Sequence, residues 1–554
     1  MRQSPPQVNG QAFQIVNITN EVIRDYLDLS VPGEPSPPNV DLSPPIQQCD
    51  VKKSQDVLPT PPSLQDEEPM SEVLPHVTNA PTQLPVLSID GLEHSFLDSE
   101  FFFSPEFSDS AFEDGIFLPG SEYQELHATL RSRIIDTARS TAPTRLNSPE
   151  PVDVGDFTEQ IPDPVAHGFV DEESRRLAQL VPEQEYFLLQ NYISEVAGWV
   201  DKFDHERNFE LTLPVLAKTH SHLKYAILAL SARQIERKQQ QQDFSCSLAL
   251  YSHAIHLLSP LLQTRTTAVL ASCVVLCVLE MLSCSPKAWR RHLDGCAALI
   301  QSLGLNGACS GLEGALFWIF ARMDICGALI SSERTLIPMH RWLGGDLRSD
   351  VAALKQHRGA DMYANHVVYL CGQMVDLFCR SGKWEQRHRR RTTLADGMNY
   401  DREWQELFEL VEGWCEARSE EMKPMITIPA TGQDPDKPFP TLYYGNGAAT
   451  SGNQLYHTAA LLMLKFKPAH LHFARKPRSI LWHARQICAI SISNDHHGCW
   501  TNATQPLWIA GQQMSHPSEH RAIIQIYERI ERETGWGTKW RADDLLAYWG
   551  DTDV

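Results

Sequence analysis

The sequence predicts an all-α protein: a large multi-helix body over residues 181–554, preceded by a long, acidic, Pro/Ser-rich arm over residues 1–180. Three observations predict it. From Pro182 onward apolar residues recur with the 3.6-residue period of amphipathic helices. Segments with the two-residue period of strands are nearly absent from that part. Finally, the chain joins two different materials. Residues 1–180 hold 30 acidic against 10 basic residues and 22 of the 36 prolines, while the remainder holds 39 acids and 38 bases. Almost all of the formal charge of −21 therefore belongs to the arm.

In the arm, Met1–Pro85 is dominated by Pro-Pro pairs, serines and acids. Such a composition cannot bury enough apolar surface to offset its ordering entropy, so disorder is the expectation. A short helix over Phe13–Leu29 is the weak exception. Six Ser-Pro or Thr-Pro pairs, beginning at Ser4, Ser36, Ser43, Thr60, Ser104 and Ser148, are candidate phosphorylation sites. Leu97–Phe117 differs in kind, because Phe101, Phe102, Phe103, Phe107, Phe112 and Phe117 are interleaved with acids and almost no bases. The acids keep these rings solvated and apart, free to enter a partner's groove, as in amphipathic activation segments. A plain acidic linker, or an arm docking on its own helical body, is the competing expectation.

The body begins with a long helix marked by Tyr186, Leu189, Tyr192, Ile193, Val196, Trp199 and Val200, and Phe203–Leu216 is read as a connection carrying Pro214. The centre is Leu223–Gly304. Its first helix, Leu223–Lys238, is apolar all round from Tyr225 to Leu230, which demands neighbours on every side. Phe244–Leu262, Thr267–Cys284, Pro286–Leu303 and Gly311–Ser331 follow as helices. Ser285 before Pro286 is a start signal and Gly304 a stop signal. In Pro286–Leu303 the residues Trp289, Leu293, Cys296, Ile300 and Leu303 form one apolar stripe, and Arg290 and Asp294 are expected to pair on the surface one turn apart. The pattern loosens beyond Pro338 and resumes in Met362–Cys379 and Arg402–Arg418. Met425–Asn453 is expected to be a long loop, and Gln454–Phe473, Arg478–Asn494, Pro506–Met514, Pro517–Thr534 and Lys539–Trp549 complete the helices.

Chemistry is not evident in this body. There is no phosphate loop, no His-Glu-x-x-His, no Gly-x-Ser-x-Gly and no dinucleotide glycine run. Cys273, Cys277, Cys284 and Cys296 lie in apolar helix, so they are expected to pack and not to hold zinc. Asn494–Cys499, with His496, His497 and Cys499, lacks the repeated spacing of a metal site. Arg387, Arg389, Arg390 and Arg391 form a basic run that is either a nuclear import signal or a solvated charge cluster. It is too small to make a near-neutral body a nucleic-acid binder. The longest apolar run, Ala268–Leu279, is too short to span a bilayer.

Residues 183–549 resemble the regulatory domain of fungal binuclear zinc-cluster transcription factors, the fungal-specific transcription factor domain, in the branch that includes the acriflavine sensitivity control protein. The resemblance rests on Asn191-Tyr192 through Gly198–Asp204, on Leu213–Ala217 leading into Leu223–Glu236, and on Trp289–Leu305. It continues in Ala315–Trp318 with Ala321–Asp324, in Arg341-Trp342, in Pro506–Gly511, and in Thr534–Trp536 with Trp549-Gly550. It implies a nuclear regulator of RNA polymerase II genes, an activator and not an enzyme. Its expected partners are the transcription machinery or coactivators and a second copy of the chain, with no membrane. Members of the family usually carry a six-cysteine zinc cluster that reads DNA. Here Cys49 is the only cysteine before position 246, so no cofactor is expected in this chain, and zinc and DNA contact only through an upstream module. A start codon set downstream of such an exon is the favoured explanation. The competing function is an all-α small-molecule-binding protein or enzyme, with Met425–Asn453 and the tryptophan-rich C-terminus lining a pocket.

Overall fold

The computed structural model describes residues 180–550, apart from residues 242–243, 284–285, 358, 385–393, 432–433 and 474. What it describes is all-α with one short hairpin. Helix α1 (Pro182–Asn191) runs through a π turn (Tyr192–Val196) into α2 (Ala197–Asp201). The turn brings Tyr192, Val196 and Trp199 to the interior, but Tyr186, expected inward from its spacing, is 66% exposed. The connection after Phe203 is more ordered than expected. A second π turn (Asn208–Thr212) leads into α3 (Leu213–Ala217), with Pro214 in the first turn, where its missing N–H costs nothing. Asp201 starts this segment by accepting the Phe209 and Glu210 N–H groups at 2.9 and 2.8 Å.

Helices α4 (Ser221–Lys238), α5 (Ser245–Leu258), α6 (Thr267–Ser283), α7 (Pro286–Ser302) and α8 (Gly311–Ser331) form the first group, each packed on its neighbours. Ala226 to Leu230 of α4 are all buried, as its all-round apolarity requires. Trp289, Leu293, Cys296 and Ile300 form the buried stripe of α7. Gly304, at φ +70°, ends α7 in a left-handed turn, with the Leu305 N–H donating to the Ile300 carbonyl. Helix α8 is long and apolar enough to cross a membrane, but it is a core helix: Arg322 and Asp324 lie in its middle and its faces are buried among α6, α7 and later helices. Beyond it, Trp342 is fully buried and packs edge-on against Phe317, Trp318 and Tyr369. Gly307 lies against this cluster so closely that a Cβ there would sit 2.8 Å from the Trp318 ring.

The second group comprises α9 (Leu347–Gln356), α10 (Ala360–Arg380), α11 (Leu394–Glu416), α12 (Gly447–Lys465), α13 (Ile480–Ser493), α14 (His497–Gly511), α15 (Pro517–Thr534) and α16 (Lys539–Trp549). Helix α9 was not expected. Its signal is Asp346, which caps the helix by accepting the Ser349 N–H at 2.8 Å while Ser349 Oγ accepts the Asp346 N–H. The long loop read over Met425–Asn453 is corrected in two ways. It contains an antiparallel hairpin, β1 (Ile426–Ile428) and β2 (Thr441–Tyr443), and α12 already starts at Gly447 because Asn446 caps the Ala449 N–H at 2.7 Å. Helix α14 begins nine residues before the predicted start at Pro506, which lies inside it. Trp500, Ala503, Leu507 and Trp508 are buried along α14, and this packing outweighs the loss of one helical hydrogen bond at the proline. The two groups meet where α8 packs on α10 and α14, α2 on α14, and α4 on α15.

Candidate functional site

Three polar clusters stand inside the helical body. The first joins α5, α6 and α7. Glu280, fully buried in otherwise apolar α6, accepts the Tyr251 hydroxyl at 2.7 Å and contacts His292 Nδ1 at 2.6 Å. Beside it, Arg233 of α4 donates to Ser283 Oγ at 2.9 Å and stacks its guanidinium over Phe244, 4.5 Å from the ring centre. Glu236, one turn on, accepts both the N–H and the hydroxyl of Ser247, and burial raises its pKa. These contacts run between helices, so the polar residues of α4 set register.

The second cluster corrects an expectation. Arg290 does not pair with Asp294. It reaches across to α8, 3.8 Å from Asp324 and 3.1 Å from Glu333, and donates to the Arg334 carbonyl. Intrahelical spacing lost to a buried acceptor because Asp294 is exposed, and an exposed pair contributes little. Asp324 also accepts the Leu336 N–H at 2.7 Å. Burial pushes its pKa up to about 7, with Arg290 opposing. An unfolded aspartate ionises near 4, so the stability from this site is complete below about pH 4 and is lost as pH rises through 7. Asp324→Asn keeps an acceptor for Leu336 without the buried charge. It is expected to flatten the fall in stability between pH 5 and 8, gaining one to a few kcal/mol at pH 8 on a scale of about 1.4 kcal/mol per pH unit. Urea midpoints measured across that range check it.

The third cluster closes the C-terminal helices. Arg541 of α16 is fully buried, 2.7 Å from Asp544 and 2.6 Å from Gln505 Oε1, with Trp508 and Trp540 against its guanidinium. Gln505 in turn donates to the Leu329 carbonyl, linking α14 and α16 to the end of α8. Elsewhere His457 and His483 meet Nδ1 to Nδ1 at 3.0 Å between α12 and α13, beside Trp482 and Tyr456. Burial holds His457 well below its ordinary value and brings His483 down to about 3, so the contact is one neutral imidazole donating to another.

None of these clusters pairs a nucleophile with a base near an open surface. Cys273 is pushed up to about 12 by burial, and burial likewise holds Cys277 and Cys296 well above the ordinary thiol value, so these thiols stay protonated as packing groups. Among the described residues no three His, Cys, Asp or Glu side chains are placed to hold an ion, and Cys49 and Cys284 lie outside the described residues. The phenylalanines Phe101, Phe102, Phe103, Phe107, Phe112 and Phe117 lie outside the described residues, as do Arg387, Arg389, Arg390 and Arg391.

The expected pocket divides. Trp289, Trp536 and Trp540 line a narrow cleft with Met281, Ile330 and Thr504, whereas no described residue of 425–453 reaches it. The hairpin packs instead on α13, where Asn494 and Ser493 accept the Tyr444 and Leu442 N–H groups. Sequence reasoning passed over Glu280 and the His457–His483 pair. A signal for Glu280 was present: it is seven residues from Cys273, so two helical turns place it on the same buried face.

Residues 187–549 match the model of the fungal specific transcription factor domain. The chain is similar to the transcription activator AMTR1 of Alternaria alternata, at 23% identity over 350 residues, covering 51% of this chain and 44% of that protein. It is also similar to the uncharacterized protein AN5342 of Emericella nidulans, at 31% identity over 118 residues, covering 20% of this chain and 25% of that one. The chain thus spans less than half the length of these curated relatives. No solved structure matches it. With a match over most of its helical body, the chain belongs to the fungal-specific transcription factor domain family.

Proposed function

We propose that this chain is a nuclear transcriptional regulator in which the helical body receives a signal or partner and the acidic arm contacts the transcription machinery. The observation that carries the reading is the family match over 187–549. The similarity to a protein named as a transcription activator supports activation as the sign of its output. The clusters of the body hold helices together, which leaves action on other macromolecules to the rest of the chain. The arm supplies the chemistry for that in Leu97–Phe117, where rings spaced by acids suit an apolar groove rimmed by bases. The same reading assigns Arg387, Arg389, Arg390 and Arg391 to nuclear import. DNA contact and zinc enter through a separate cysteine-cluster module, and a second copy of the chain is a candidate partner.

The test is a reporter assay with the full chain fused to a heterologous DNA-binding module. Replacing Phe101, Phe102, Phe103, Phe107, Phe112 and Phe117 together by alanine is expected to reduce activation at least tenfold at equal protein level. Unchanged output would remove the segment from the account.

A further inference from the structure

Leu188 of α1 and Tyr192 in the π turn after it are buried, but Tyr186 and Phe187 are not. Together with Val181 at the cap, these two rings are each more than half exposed. Leu211 of the second π turn and Val215 of α3, four positions on, are exposed to the same degree. The two sites adjoin. Helices α1 and α3 both pack on α4, where Glu185 pairs with Lys224 at 2.7 Å, and the two π turns touch each other. Lone exposed apolar side chains are ordinary, but five large ones on adjoining elements form the kind of patch that marks a docking surface.

Charge says what fits it. Residues 182–217 hold seven acids against two bases, a net of −5. On α1, Glu183 shares a face with Phe187, one helical turn away. The arm, acidic as a whole, contains one stretch of the opposite character. Between Ser54 and Ser174 its only bases are Arg131, Arg133, Arg139 and Arg145. Leading into and among them, Tyr123, Leu126, Leu130 and Ile134 are spaced by three, four and four, the period of an amphipathic helix. Ser121 with Gln124 three positions on is a helix-start pair. In that helical register Arg131 and Arg133 flank the apolar stripe on either side.

We propose that Ser121–Arg139 of the same chain docks on this face, laying Leu126, Leu130 and Ile134 over Tyr186, Phe187, Leu211 and Val215, with Arg131 and Arg133 toward the acids of α1. The chain between, residues 140–180, is 41 residues long. A coil of that length spans about 35 Å and holds the stretch at an effective concentration of about 1 mM. A contact whose dissociation constant between separate molecules is about 0.1 mM is then about nine-tenths occupied. Docking anchors the chain four positions after Phe117 and so fixes where the ring-and-acid segment starts. That consequence for output rests on the transcriptional reading, whereas the contact itself does not.

The experiment is hydrogen exchange read by mass spectrometry on the purified full chain. Amides of residues 126–139 are expected to exchange about tenfold more slowly than in a free peptide of the same sequence, and equally so at about 1 and 30 μM protein. Tyr186→Asp with Phe187→Asp changes two exposed rings, and is expected to return those amides to the peptide rate while the body keeps its cooperative melting transition. Leu130→Asp with Ile134→Asp confines the change to the arm. It is expected to raise hydroxyl-radical labelling of Tyr186 and Phe187 about threefold as the docked fraction falls. Should the α1 variant fail to fold, judged by its melting, this second comparison decides. Peptide-rate exchange in the wild type, or slowed exchange that survives the α1 substitutions, overturns the proposal. Slowing seen only at the higher concentration assigns the face to a second copy of the chain and overturns it too. Exchange is read without a reporter gene, so failure here leaves the transcriptional reading intact, and failure of the reporter assay leaves this contact intact.

Discussion

Glu280→Ala is expected to destabilise the protein by about 3–5 kcal/mol, from the cavity it opens and the buried hydrogen-bonding partners it strands. Glu280 is 0% exposed, and it is the atom set on which Tyr251 of α5 and His292 of α7 converge. Truncation takes away this acceptor from both side chains in a region where water does not enter, and adds a cavity between three helices. Glu280→Gln keeps an acceptor for the Tyr251 hydroxyl and lets the imidazole change tautomer, so its expected cost is smaller, about 1–2 kcal/mol. Guanidinium unfolding midpoints at constant pH compare the two. If alanine and glutamine cost the same, the hydrogen bonds are not what Glu280 contributes.

Arg541→Ala is expected to have an effect of similar size, about 3–5 kcal/mol, for a related reason. The guanidinium holds Asp544 and Gln505 while filling the slot between Trp508 and Trp540. Removal takes the guanidinium away from the Asp544 carboxylate, whose side chain is only 8% exposed. Lysine should recover little, because an ammonium cannot lie flat between two indoles and donate in two directions. The pair exchange Arg541→Met with Asp544→Leu should recover most of the loss, since apolar replacement of a buried ion pair is often neutral. Local unfolding is the better readout here: hydrogen exchange should rise first in α16 and in the second half of α14, where Gln505 and Trp508 sit, and remain unchanged in α6.

Much of the helical body was legible in the chain because burial and periodicity coincide there. Gly311–Ser331, Pro517–Thr534 and Lys539–Trp549 begin and end where spacing and end signals put them. The Gly304 stop needed only the glycine's freedom to take φ +70°. Misses arose where a local rule met tertiary packing. Pro506 reads as a helix start but sits within a helix held by buried indoles. Arg290 reads as half of a surface pair but serves a buried acid 34 positions away in sequence. Helix α9 and the early start of α12 were missed because Asp346 and Asn446 were not weighed as caps. Of the candidate site, the tryptophans were flagged by abundance alone. Their convergence with Met281 and Thr504 is long-range, and nothing in one sequence specifies it.

The account rests on a division of labour, with an activating arm and a receiving body. The most direct measurement compares three fusions to one heterologous DNA-binding module in a reporter assay: residues 1–180, residues 182–554, and the full chain. The account predicts strong activation from 1–180, none from 182–554, and an output from the full chain that the body alters. Silence from 1–180, or activation by 182–554 alone, would contradict it.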